Sequence, residues 1–381
     1  MEDRDKAEAG GCVEMAVREE QEFVPDWFSK PGDSLRALML RRGLAVEAVA
    51  KCLNGGLPAL SGILAGTEAI DGAQAAALAE HVGGTVSFWL KRQVHYEEAL
   101  LRAVDRAAAD EGDDWLLLPV PGDKPRGRLS QERRRAEVQR RLTFFNVGTL
   151  KAWDARYGRI CSNTLFRKSA AFRSDDAAIL MWLRMGELGA DLVDTRSWDA
   201  ENLKDRLDKI RKLSKVKDPE RFLPKLRNLF AEAGVAVVTK RAPPGCPASG
   251  ASRMVAPDKA MILLSFRGLS DDKFWFTVFH EVGHLLLHGA STFVDADLEG
   301  TDEYEREAND FASGLIVPKE EEDEFRQLRS IRDDILRFSV RAGVAPGLIV
   351  GQMQHRGKVG QDKLNYLKRR WSWAQLDHFL A

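Results

Sequence analysis

The feature that most constrains this chain is a pentapeptide, His280-Glu281-Val282-Gly283-His284, set inside the apolar run DKFWFTVFHEVGHLLLHG. Residues four apart lie one above the other on a helix. His280 and His284 can therefore offer both imidazoles to a single ion, about 2 Å from each nitrogen. Glu281, one position along, points beside that ion and can take a proton from a water whose pKa the metal lowers towards about 7. The pattern also arises by chance in amphipathic helices whose histidines only pack or cap. Here the flanks (Phe274, Trp275, Phe276, Val278 and Phe279; then Leu285, Leu286 and Leu287) mark a buried helix. Burying two imidazoles and a carboxylate there without partners costs several kcal/mol, which a metal removes. The expected cofactor is Zn2+.

A catalytic zinc takes three protein ligands and keeps one position open. His288 follows His284 at the same spacing but a turn further along the axis, too far to join the pair in a straight helix. It is expected behind the site or at the helix end. The next helical segment, EYEREANDFASGLIV, offers Glu305 and Glu307, with Glu303 just before them. About 200° apart on a helix, only one of Glu305 and Glu307 can face the ion. Glu305 is favoured, because Asn309 stands four residues on and can orient a ligating histidine from behind. Glu307 is the competitor. A donor for the oxyanion formed during amide hydrolysis is sought in His355 of VGQMQHRG. Arg253 and Arg267 flank the strand before the zinc helix and can serve the same end, with surface ion pairs as their ordinary alternative.

Around this segment the chain divides. At 381 residues it exceeds one ordinary core. Residues 1–22 are polar, and disorder is expected there. Residues 23–100 carry apolar positions at helical spacing, broken by Gly43, Gly55, Gly66 and Gly83 into short helices, the habit of a helix-turn-helix bundle. The acidic and then Pro/Gly-rich stretch 101–128 is expected to be a linker. Residues 129–235 read as a helical intermediate region whose Arg-rich opening, capped by Ser130, is a solvated face. Within 236–381, GVAVVT and MILLSF have the period and composition of strands, and helices follow. The fold class is mainly α with a small β-sheet (α+β): a helix-turn-helix bundle ahead of a zincin-like metallopeptidase domain.

Composition adds limits. The formal net charge of -1 gives no whole-chain attraction to nucleic acid, so DNA binding would need a local patch. No apolar run approaches the ~20 residues of a membrane helix. The charged start, MEDRDKAEAGG, lacks a signal-peptide core. Four scattered cysteines (Cys12, Cys52, Cys161 and Cys246) suit reduced thiols, and the expected location is the cytoplasm.

The stretch LLSFRGLSDDKFWFTVFHEVGHLLLH, with EREANDFASGLIVP and GVAPGLIVGQMQH, resembles the ImmA/IrrE family of metallopeptidases, in the longer form that carries an N-terminal Cro/C1-type domain. PGDSLRALMLRRGLAVEAVAKCLNGG and the residues up to EEAL are similar to the antitoxin-type version of that domain. FRKSAAF, WLRMGE and GCPASGASRM sit where the family has comparable segments, so the resemblance runs from about Phe23 to Trp373. It implies His280 and His284 as ligands, Glu281 as general base, and a downstream glutamate as third ligand. In gluzincin sites that glutamate opens an E-x-x-x-D/N element, here Glu305 and Asn309. It implies cleavage of a partner protein, usually a repressor, together with gene repression through the N-terminal domain.

The residues support the second activity less well. The turn Asn54-Gly55-Gly56 leads into LPALSGILAG, which has no Arg, Lys, Asn or Gln to read bases. Arg41, Arg42 and Lys51 can hold a DNA backbone, and Ser61 can touch a phosphate. Two readings stay open for this domain: weak or dimeric DNA binding, or a dimerisation or partner-docking module. For the whole chain the expectation is a zinc endopeptidase acting on a specific regulator protein. The alternative is an antitoxin-type regulator whose metal domain senses or docks.

Overall fold

Past Ala233 the apolar spacing changes from helical to alternating, and the chain turns into a four-stranded sheet ordered β1-β3-β2-β4. The computed structural model describes residues 29–110, 112–123, 127–158, 174–289, 293–295 and 303–379. The strands are β1 (Val235–Thr239), β2 (Gly250–Ala256), β3 (Lys259–Leu264) and β4 (Phe293–Asp295). β1 lies parallel to β3, with Val235 opposite Ala260 and Thr239 opposite Leu264. β2 runs antiparallel to both β3 and β4. GVAVVT and MILLSF are thus strands as expected. β2 and β4 are additions: GASRMVA is built of small residues rather than a β-branched run.

The helices that precede the sheet are α1 (Pro31–Arg42), α2 (Val46–Cys52), α3 (Gly56–Ala65), α4 (Gly72–His81), α5 (Val86–Asp110), α6 (Gly112–Leu117), α7 (Gln131–Phe145), α8 (Leu150–Tyr157), α9 (Ser174–Ala190), α10 (Ala200–Leu213) and α11 (Pro219–Ala231). The later ones are α12 (Asp271–Leu287), α13 (Glu303–Ile316), α14 (Glu322–Gln327), α15 (Arg332–Ala342), α16 (Pro346–His355) and the short α17 (Trp373–Leu376). The architecture is mainly α with a small sheet, as the sequence indicates.

Alternation along the strands gives the sheet two covered faces. Val235, Val237, Ala260, Ile262 and Leu264 share a core with Trp275, Val278, Phe279 and Val282 of α12, and with Phe222, Leu226 and Phe230 of α11. Ala236, Val238, Ala251, Met261 and Leu263 turn the other way, onto Ala178, Ile179, Trp182 and Leu183 of α9. Each fully buried aromatic contributes roughly 1.5–3 kcal/mol relative to exposure. The sheet is therefore a rigid middle layer, and α12 hangs from it by Trp275 and Phe279. α9 and α11 arise from the stretch expected to form a separate intermediate region, yet they supply layers of this same body.

Two expectations need correcting or setting aside. Residues 101–110 and 112–117, read as the first part of a linker, are helical in α5 and α6. Trp115 is fully buried there with Val104, Ala107, Leu142, Phe145 and Trp153. The acidic composition masked a helical apolar repeat that continues from Tyr96 and Leu100. The expected disorder of residues 1–22, the segment FRKSAAF, and Cys12 and Cys161 all lie outside the described residues. Cys52 is a free thiol on α2, and Cys246 is buried against the α9 face of the sheet. Among the described residues no single helix is long and apolar enough to cross a membrane.

Candidate metal centre

HEVGH falls in the second half of α12, whose first turn carries Asp271 and Asp272 where the positive end of the helix dipole favours acids. His280, Glu281 and His284 are all buried. Gly283 and Ala308 decide what reaches them. A Cβ on Gly283 would sit 3.2 Å from the Cα of Ala308 and 3.2 Å from the ring of Phe311. A glycine facing the backbone of Ala308 and the edge of Phe311 lets α12 and α13 close together, which carries the first turn of α13 onto the histidines.

The result is a three-cornered cluster of ligand atoms from His280, His284 and Glu305, all within 4.8 Å of one another. His284 Nε2 lies 2.9 Å from His280 Nε2. The Glu305 carboxylate oxygens lie 3.2 Å from His280 Nε2 and 3.3 Å from His284 Nε2. Tetrahedral coordination at about 2.05 Å places neighbouring ligand atoms ~3.3 Å apart. The cluster has the size of a small tetrahedral cation, and three lone-pair donors aimed at one point suit a cation there.

Supporting contacts prepare the rings. His280 Nδ1 is 3.0 Å from Asn309 Oδ1, so an N–H on Nδ1 donates to the amide oxygen and Nε2 keeps its lone pair. Asn309 lies one turn beyond Glu305 on α13. Burial keeps the His284 imidazole pKa below its ordinary value, favouring the neutral ring. Burial pushes the Glu305 carboxyl up, but hydrogen bonds and the fields of His280 and His284 outweigh it and hold the group at about 2. A neutral His284 ring and an ionised carboxylate are protonation states that metal binding requires.

Glu307 does not join this cluster. Its Oε2 lies 2.8 Å from His288 Nε2, and His288 Nδ1 lies 3.1 Å from His284 Nδ1. His288 is the C-cap of α12 and stands behind His284, a ligand candidate.

Glu281 runs against the start of β2. A Cβ on Gly250 would come within 2.5 Å of Glu281 Oε1 and 2.5 Å of Thr277 Cγ2. Only glycine leaves room for the carboxylate there, a requirement the sequence conceals because a glycine in GCPASGAS reads as a turn.

The remaining candidates are dispersed. His355 lies exposed in the last turn of α16, a helix that meets α12 where Gly347 and Gly351 approach Asp271 and Asp272, at the opposite end from His284. Arg253 points to the other face of the sheet, where its Nη1 lies 2.7 Å from Glu187 Oε1. Arg267 donates to the carbonyl of Pro247. His355, Arg253 and Arg267 therefore do not line the cluster as oxyanion donors. In the N-terminal bundle, Arg41 and Arg42 end α1 on the surface, Ser61 is half-buried on α3, and Lys51 pairs with Glu47 at 2.7 Å. α2 and α3 are bent by 107° across their turn.

Residues 234–350 match the family model of the IrrE N-terminal-like domain, Peptidase_M78. That span holds the sheet core, all of α12 and α13, and the whole cluster. No curated protein matches the chain. The segment is a metallopeptidase-like module with a His-His-Glu set able to hold a metal ion.

Proposed function

We propose that the chain is a zinc-dependent endopeptidase, fused to a helix-turn-helix domain, that cleaves a specific partner or repressor protein and so regulates gene expression. The observation that carries this is the convergence of His280 Nε2, His284 Nε2 and the Glu305 carboxylate on one point, with Glu281 buried on the same helix. Zinc fits the donor set of two imidazoles and one carboxylate, which leaves a fourth position open. When bound, zinc supplies Lewis acidity and lowers the pKa of water. The chain's own part is to present His280 and His284 in the Nδ1–H tautomer, to hold Glu305 ionised, and to keep the Glu281 carboxylate beside the site as proton acceptor. A purely structural zinc has no use for that carboxylate.

The test measures zinc by elemental analysis in the wild type and in Glu281→Gln, then follows a co-expressed neighbouring gene product for zinc-dependent cleavage. One zinc in both, with cleavage only in the wild type, is expected. A Glu281→Gln variant that keeps both zinc and full biological output would remove catalysis as the function.

A second reading, a DNA-binding regulator of antitoxin type, is favoured by one observation. The 107° bend between α2 and α3 lies in the roughly 90–120° range of helix-turn-helix pairs. Against it, α3 carries no Arg, Lys, Asn or Gln for bidentate readout of a base edge. Salt titration of DNA binding separates the two, since phosphate contacts release counterions and a slope near zero excludes them.

A further inference from the structure

His284 and His288 place two ring nitrogens face to face at 3.1 Å, so one must donate and the other accept. Suppose His284 keeps Nε2 free for the cluster. Its proton then sits on Nδ1 and is donated to His288 Nδ1. His288 must in turn carry its proton on Nε2, and that N–H points at Glu307 Oε2, 2.8 Å away. The opposite polarity would put the His284 proton on Nε2, into the cluster, and block it. A carboxylate at the far end accepts from Nε2–H, and in a neutral His288 ring that leaves Nδ1 as the acceptor for His284.

We propose that Glu307 and His288 form a positioning pair that fixes the tautomer and ring orientation of His284, a role parallel to that of Asn309 for His280. The inference rests on the metallopeptidase reading of the cluster. Three further observations support it. The His288 side chain is only 4 % exposed, so the ring is held rather than free to turn. Its position as C-cap of α12, with its N–H on the His284 carbonyl at 2.9 Å, ties the backbone of the two residues together. The ring of Tyr304, on the same first turn of α13 as Glu305, packs edge-on against His288 at 4.8 Å. One helix thus supplies both a ligand candidate, Glu305, and the terminus of the relay, Glu307. Docking α13 therefore completes both in a single step.

The test uses the full chain and compares the wild type with Glu307→Gln, His288→Phe, the double variant and Glu303→Gln, a control that removes an exposed carboxylate from the same turn. Zinc affinity is read by chelator competition. The d–d absorption of the cobalt-substituted protein reports ligand orientation, and melting of the metal-free protein reports folding. Partners behind a metal ligand carry about 10–100-fold in affinity. Each single variant is expected to weaken zinc binding by that much and to shift the cobalt bands, and Glu303→Gln to do neither. The double variant is expected to be no weaker than the worse single, since both act through one chain of hydrogen bonds.

Affinities within twofold of wild type in both singles would overturn the proposal. So would strictly multiplicative losses, which would make Glu307 a source of field rather than the end of a relay. Losses that follow the unfolded fraction of the metal-free protein would make the pair structural and also overturn it. A wild type that binds no zinc at all would instead defeat the reading beneath it.

Discussion

Glu187 is the strongest place to test how the sheet is held. Its carboxylate, buried between α9 and β2, accepts from Tyr157 at 2.8 Å, Arg184 at 2.6 Å and Arg156 at 3.1 Å, and pairs with Arg253 at 2.7 Å. Burial pushes its pKa up, but the three guanidinium groups outweigh this and hold it at about 2, against 4.5 for an unperturbed glutamate. The difference of about 2.5 units, at ~1.36 kcal/mol each, makes the ionised group worth roughly 3 kcal/mol to the folded state. Breaking a buried ion pair from one side costs about 3–5 kcal/mol by a separate route, since Arg184 and Arg253 would stay buried without a counter-charge. The two figures agree. Glu187→Gln should therefore lower the unfolding free energy at pH 7 by about 3–5 kcal/mol, read as a shift in urea midpoint at unchanged slope. The sign in pH follows from the depressed pKa. The contribution is complete above about 4.5 and disappears as pH falls towards about 2, so the wild type should show an acid limb there that the variant lacks. A variant within 1 kcal/mol of wild type at pH 7, with the same acid limb, would refute the reasoning.

Three further outcomes can be checked with equal directness. Asp271 is fully buried, and burial raises its carboxyl from 3.8 to about 6. The folded state therefore holds the proton more tightly, and wild-type stability should rise as pH falls from about 6 to about 4. Asp271→Asn, whose Oδ1 can still accept from the backbone N–H groups of Asp272 and Arg369, should flatten that rise without loss at pH 7, and a loss above about 1 kcal/mol would contradict this. Gly250→Ala should displace Glu281 while leaving His280, His284 and Glu305 in place, so zinc content persists. Partner cleavage should fall by about 100-fold, the effect of a misplacement near 1 Å, and unchanged cleavage would deny Glu281 its role. Glu305→Gln should weaken zinc by at least the ~10–100-fold that supporting partners carry, whereas Glu307→Gln should still bind one zinc per chain; the reverse ranking in a chelator titration would exchange their assignments.

How much of this was legible in the sequence depends on the distance over which each signal acts. His280 and His284 are one helical turn apart, as are Glu305 and Asn309, so the helical period alone puts each pair on one face of its own helix. The strands over GVAVVT and MILLSF were legible for the same reason. Gly283 looked like one of the two free positions of the pentapeptide, although its missing Cβ is what admits Ala308 of α13. Gly250 is needed because of a carboxylate on another element, and no local rule requires it. Glu307 was read as a rival ligand because helical geometry says which face a residue occupies but not which side chain waits opposite. WLRMGE holds Arg184 and Glu187 with ordinary helical spacing, and nothing nearby reveals that Arg253 comes to the same carboxylate from a strand. The acidic stretch after Leu101 has the composition of a linker, yet it carries the apolar repeat that buries Trp115. The missed residues share one physical character: each is constrained by volume or charge delivered from another element. His280 with His284, and Glu305 with Asn309, were readable as pairs because each pair lies on one helix face, whereas the meeting of the two pairs depends on how closely α12 packs against α13.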